Sequence, residues 1–136
     1  MYTVVVESRF TASHRVRRPD GTEETPHAHD WGVRAYFRGP TVDAADMVVD
    51  FEHAHGLLEN IIRGLHHADL NEAGILKGCN PTAEAVARRI FERLVAGGLA
   101  HTWAVAVTEA PGCVAIYERD GQREPPSSLA FDDMRG

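Results

Sequence analysis

Residues 27–38 read HAHDWGVRAYFR, and their alternation decides the fold. His27, His29, Trp31, Val33, Ala35 and Phe37 share one parity, and Ala28, Asp30, Arg34, Tyr36 and Arg38 share the other. Successive side chains of an extended chain leave opposite faces, so this is a strand with one apolar face. Upstream, RRPDGTEETP (17–26) is rich in proline, glycine and charge and reads as a loop. Before it, Tyr2 to Val16 alternates as well. Val4, Val6, Phe10, Ala12 and Val16 share a parity with His14, opposite Glu7, Arg9, Arg15 and Arg17. Two adjacent strands joined by such a loop are expected to pair antiparallel.

Downstream, GPTVDAAD (39–46) is a turn-rich connection and MVVDF (47–51) a short extended lead into a helix. From Glu52 the period becomes helical, with Leu57, Leu58, Ile61, Ile62 and Leu65 in one stripe. HHADLNEAGILKGCN (66–80) is irregular. Thr82 is the expected N-cap of a second helix, with Glu84 complementing its dipole. That helix buries Val86, Ile90, Phe91 and Leu94 and stops near Gly97 and Gly98. A third strand puts Trp103, Val105, Val107 and Glu109 on one face, and after Pro111-Gly112 a fourth runs through CVAIYER. The order β-β-α-α-β-β predicts an α+β domain over 1–119, a four-stranded antiparallel sheet with two helices on one face. Residues 120–136 form a C-terminal tail without period, expected to be loosely ordered or to lie on a neighbouring subunit.

The chain has 136 residues, which fits one domain. Its net charge of -6 argues against non-specific binding to nucleic acid or to an anionic membrane surface. No stretch approaches the roughly 20 apolar residues that span a bilayer, and MYTVVVESRF lacks the form of a signal peptide. Cys79 and Cys113 make no disulfide framework and are expected to be reduced, mostly buried thiols of a cytoplasmic protein.

The eight histidines are the unusual part of the composition. His27 and His29 leave the same face of one strand, and His14 leaves the matching face of its neighbour. Three imidazoles converging at the loop end of a hairpin make three corners of a tetrahedron. Zinc suits that set and leaves a fourth position open. An H-x-H pair alone also occurs in cupins, but no glutamate follows here at cupin spacing. Glu109 is the second oddity, a carboxylate on an apolar face at a strand end. Either it escapes to water or it anchors a ligand, since a carboxylate accepts two parallel hydrogen bonds from an amino-pyrimidinone edge.

These residues fall in a familiar series: FTASH (10–14), HAHDW (27–31), MVVDF (47–51), LHHADLN (65–71), NPTAE (80–84), and Thr108-Glu109 with Tyr117 downstream. In that series the chain resembles the 6-pyruvoyl-tetrahydropterin synthase family, including the bacterial 6-carboxy-tetrahydropterin synthases of queuosine biosynthesis, from about Tyr2 to Glu118. The resemblance implies a T-fold unit, three of which close a barrel and two barrels of which stack into a hexamer. It implies Zn2+ on His14, His27 and His29. It also implies a pterin clamp of Glu109 with Thr82, Ala83 and Glu84, in a pocket shared between subunits. The implied activity is a lyase reaction on the side chain of 7,8-dihydroneopterin triphosphate, with Arg15, Arg17 or Arg18 available to phosphates.

Two departures bear on the chemistry. The family's catalytic cysteine position, four residues before the first histidine of H-x-H, is Glu23 here, followed by Glu24. The family's catalytic aspartate–histidine pair falls on His66 and His67, so only the histidine is kept. Relatives with glutamate in place of the cysteine resemble enzymes that release 6-hydroxymethyl-dihydropterin. Glu23 is therefore the expected general base, assisted by His67, unless Glu23 and Glu24 are only a solvated pair on a loop. A pterin- or purine-binding homologue without the original activity is the alternative from another class.

Overall fold

A computed structural model describes residues 1–120; the expectations for the tail beyond lie outside the described residues. Four strands, β1 (Tyr2–His14), β2 (His27–Gly39), β3 (Thr102–Ala110) and β4 (Cys113–Glu118), form one antiparallel sheet in the order β1-β2-β3-β4. Between β2 and β3 the chain forms α1 (Phe51–Arg63), a short 3-10 turn (Gly74–Leu76) and α2 (Ala83–Ala96). This is the expected order. α1 packs on β1, and α2 packs on β3 and β4.

Periodicity explains the core. Val6, Phe10 and Ala12 of β1 and Trp31, Val33, Ala35 and Phe37 of β2 are buried under Ala54, Leu58 and Ile62 of α1 and Val86, Ile90 and Leu94 of α2. Removing one such side chain from water contributes about 1.5–3 kcal/mol. Asp50 caps α1 by accepting from the Glu52 N–H, and Thr82 caps α2 by accepting from the Ala85 N–H. Each cap contributes about 1 kcal/mol. Gly97 closes α2 against Leu57 of α1, whose Cδ2 lies 2.5 Å from where a Cβ would stand.

Three expectations change. β1 ends at His14 rather than Val16, because the Arg15 N–H is taken by the Asn71 side chain. Trp103 leaves the face of Val105 and Val107, because a register shift between Tyr36 and Phe37 sets Ala104 opposite Tyr36 but Thr102 opposite Phe37. Trp103 packs instead with Tyr36, Ala104 and Ala106 on the outer sheet face, under the Arg38 guanidinium at 4.3 Å. Cys113 is exposed rather than buried, since it opens β4 directly after the Pro111-Gly112 turn.

Candidate metal and ligand site

The hairpin register builds the site. His14 stands directly opposite His27, and His29 stands opposite Ala12, whose small side chain leaves room for an imidazole. One ring nitrogen from each of His14, His27 and His29 lies within 4.8 Å of the others. His14 is 1% exposed, and Trp31, fully buried and stacked on Phe10, forms an apolar floor beside it. The Trp31 indole N–H donates to the Ala12 carbonyl at 3.2 Å.

Backbone carbonyls fix two of the three tautomers. His14 Nδ1 lies 2.7 Å from the Pro81 carbonyl, and His27 Nδ1 lies 2.9 Å from the Thr25 carbonyl. A carbonyl only accepts, so both Nδ1 atoms carry hydrogen, and in the neutral rings that bind a metal both Nε2 atoms present lone pairs. Those Nε2 atoms face each other at 2.9 Å, and a Glu109 oxygen lies 3.3 Å from that of His14. Three electron-rich atoms in such proximity repel unless a cation joins them. The donor set fits zinc: Zn–N bonds of about 2.0–2.1 Å put tetrahedral ligand nitrogens about 3.3 Å apart, within the range spanned here.

A cleft of about 540 Å³ opens beside the cluster. Its lining includes Glu24, Thr82, Ala83, Glu84 and Glu109, so Glu109 and the α2 N-terminus meet in one cavity of ligand-binding size. Cys113 also lines it, a position that no local sequence pattern marked.

The two loop carboxylates part company. Glu23 turns outward, bonded to Arg15 Nε at 2.7 Å, with 55% of its side chain exposed. Glu24 turns inward. Its Oε1 accepts the Val16 N–H at 2.9 Å and lies 3.7 Å from His27 Nε2. The loop is itself a tight reversal, with Gly21 at φ 88 and an isolated bridge between Arg17 and Glu23, so neighbours in sequence face opposite ways. Arg15 and Arg18 are engaged within this loop, with Glu23 and with Thr22 and the Glu23 carbonyl.

His66 and His67 lie elsewhere, along the outer edge of β1. His66 Nδ1 accepts the Thr11 N–H at 3.1 Å, and the His67 N–H donates to the Thr11 carbonyl at 2.6 Å. Ser13 and Leu70 continue the pairing, so this segment covers β1 from Thr11 to Ser13 in the manner of a fifth strand. His67 is exposed and takes a left-handed conformation, φ 59, uncommon for a residue with a side chain. Neither histidine lines the cleft of its own chain.

Comparison with known proteins agrees with this fold. The sequence pattern of the family described as 6-pyruvoyl tetrahydropterin synthase matches residues 3–120. A 6-carboxy-5,6,7,8-tetrahydropterin synthase from Synechocystis sp. is 29% identical over 122 residues, covering 86% of this chain and 93% of that protein. Among solved structures, the 6-pyruvoyl tetrahydropterin synthase of Caenorhabditis elegans superposes with a TM-score of 0.78 at 19% identity, covering 88% of this chain and 96% of the other. A Plasmodium vivax 6-pyruvoyltetrahydropterin synthase, in a form whose catalytic glutamate is replaced by alanine, gives 0.70 at 17% identity, covering 87% and 97%. At these identities the structures share the fold.

Proposed function

Because the chain is a lyase-type member of the 6-pyruvoyl tetrahydropterin synthase family, we propose that it cleaves or rearranges the side chain of 7,8-dihydroneopterin triphosphate or a related pterin, with Zn2+ on His14, His27 and His29. The observation that carries the metal is the pair of lone-pair-bearing Nε2 atoms 2.9 Å apart with the Glu109 carboxylate beside them. A proton would relieve that repulsion for one pair of atoms; a third imidazole within 4.8 Å favours a metal cation. Zinc there supplies Lewis acidity to side-chain oxygens of the substrate.

The chain's own residues divide the remaining work. Glu109 accepts two hydrogen bonds from the amino-pyrimidinone edge, and the α2 N-terminus offers the backbone N–H groups of Ala83 and Glu84 to the ring oxygen, with Thr82 lining the cleft beside them. The base is assigned to Glu24, which faces the cluster, with Glu23 as the competing carboxylate. Glu24 takes the proton of the second side-chain hydroxyl. The bond between the first two side-chain carbons breaks, its electron pair passes toward the ring, and the first carbon is reprotonated. The products are 6-hydroxymethyl-dihydropterin and a two-carbon aldehyde, which keeps the triphosphate when the substrate carries one. The Plasmodium vivax 6-pyruvoyltetrahydropterin synthase also has a glutamate as a catalytic residue, which supports a carboxylate in this role.

A homo-oligomer, most simply a hexamer, fits the sheet. The outer edges of β1 between Tyr2 and Arg9 and of β4 between Cys113 and Tyr117 have no strand paired to them among the described residues, and the outer sheet face carries Tyr36, Ala104, Ala106 and Trp103. His66 and His67, outside their own cleft, are then available to a pocket shared between subunits. The unpaired thiols suit a cytoplasmic setting, and among the described residues no helix is long and apolar enough to cross a membrane.

Zinc-loaded protein incubated with 7,8-dihydroneopterin triphosphate, its product identified by mass, tests the proposal. Release of 6-hydroxymethyl-dihydropterin is expected. Tight pterin binding with no turnover of any dihydroneopterin would instead favour a binding homologue.

A further inference from the structure

Past His14 the chain leaves the sheet, yet residues 15–17 remain extended and are gripped from both edges. On one edge the Arg15 N–H donates to Asn71 Oδ1 at 2.9 Å, and Asn71 Nδ2 donates back to the Arg15 carbonyl at 3.0 Å. Two residues on, Asn80 repeats the pattern at Arg17, with distances of 2.8 and 2.9 Å. Arg15 and Arg17 present their backbone groups to the same side because an extended chain has a period of two. Each is met by an amide side chain that supplies an acceptor and a donor together, as a neighbouring strand would. On the other edge stands Val16. Its N–H donates to Glu24 Oε1 at 2.9 Å and its carbonyl accepts the Glu24 N–H at 3.1 Å.

The two amides come from different parts of the chain, Asn71 from the segment after α1 and Asn80 from the turn before α2. Asn71 is itself held, its N–H on Asp69 Oδ1 at 3.0 Å, and Asn80 accepts the Thr82 N–H at 2.8 Å beside the α2 cap. The segment is therefore fixed to both helical connections, and Val16 hands that fixity on to Glu24.

We propose that Asn71 and Asn80 are positioning residues: a two-point amide clamp on residues 15–17 that aims the Glu24 carboxylate at the histidine cluster. Only an amide of this length meets both backbone groups. Aspartate accepts but cannot donate, and its charge opposes the carbonyl; alanine does neither. The catalytic consequence rests on Glu24 being the base; the clamp itself does not.

The test uses the full, zinc-loaded chain with Asn71→Ala, Asn80→Ala, the double variant and Asn71→Asp. Limited trypsin digestion reads the clamp without any assay of activity, because Arg15-Val16 and Arg17-Arg18 are cleavable bonds inside the gripped segment. Losing two backbone hydrogen bonds is expected to raise cleavage at these bonds about tenfold per alanine substitution. With zinc kept saturating, cleavage elsewhere should stay at the parent's level. Asn71→Asp should fall between parent and alanine. In turnover, kcat should drop about tenfold with KM unchanged, since the ring anchors are untouched. Parent-like cleavage in the double variant, or cleavage rising equally along the whole chain, would overturn the clamp. Release of the segment with kcat unchanged would overturn its positioning role. If the parent turns over no pterin while the segment is still released, the clamp stands and the proposed reaction is what fails.

Discussion

Replacing Glu24 by glutamine separates basicity from architecture. Glutamine keeps an Oε1 at the same reach, so the Val16 N–H retains its 2.9 Å acceptor and the loop its path. What is lost is the charge and the ability to take a proton. A positioned general base contributes about 10²–10⁴ in rate, or about 2.7–5.4 kcal/mol at 1.36 kcal/mol per decade, and that is the expected fall in kcat. A second effect must be separated from it. The carboxylate lies 3.7 Å from His27 Nε2 with 30% of its side chain exposed, so it also favours a cation in the cluster. A charge pair at about 4 Å is worth about 1 kcal/mol in water and about 4 kcal/mol at an effective dielectric of 20, and a half-exposed group lies toward the lower value. Zinc affinity should therefore weaken about tenfold, and assays in excess zinc with metal content measured remove this contribution. Glu23→Gln is the control. It breaks an ion pair whose two side chains are 35% and 55% exposed, worth about 0–1 kcal/mol, so turnover should change less than about fivefold. Product formation followed by mass decides. If Glu23→Gln abolishes turnover while zinc-saturated Glu24→Gln matches the parent, the assignment drawn from the inward and outward carboxylates is refuted.

His29→Ala should lose most of its zinc in elemental analysis while circular dichroism stays parent-like, because His29 stands opposite the small Ala12 and, among the described residues, makes no structural hydrogen bond of the kind that ties His14 to Pro81. Full zinc retention would remove His29 from the site. Glu109→Ala should weaken pterin binding about ten- to a hundred-fold, the worth of roughly 1.5–3 kcal/mol for a charged hydrogen-bond partner, with zinc retained; loss of zinc instead would make Glu109 a metal ligand. Sedimentation at micromolar concentration should give a hexamer, and a monomeric mass would mean that the open strand edges are managed within one chain.

The parity of Phe10, Ala12, Trp31 and Val33, the stripe through Leu58 and Ile62 and the cap at Thr82 are local signals, and each appears in the structure as read. The histidine cluster was legible for the same reason. Side-chain direction on a strand is set by a period of two, so His14, His27 and His29 had to share a face once the hairpin paired. Glu109 could be singled out because it continued the parity of Val105 and Val107 to the strand end.

Whatever depended on chain segments far apart was not legible. Nothing near Trp103 announces the register shift that turns it to the outer face, because the shift belongs to the pairing with β2. His66 follows a helix and looks like a polar helix end, whereas its ring nitrogen completes the edge of β1 at Thr11, 55 residues earlier. The choice between Glu23 and Glu24 shows the limit most directly. Both are charged, adjacent and on the same loop; the resemblance points to Glu23 by its position, and composition gives no reason to prefer either. Alternation within the sequence fixes which face a residue takes relative to its neighbours. It does not fix where a loop's backbone is held, and here that is decided by Asn71, Asn80 and the Val16 backbone, which send Glu24 toward the cluster and leave Glu23 to Arg15 and solvent.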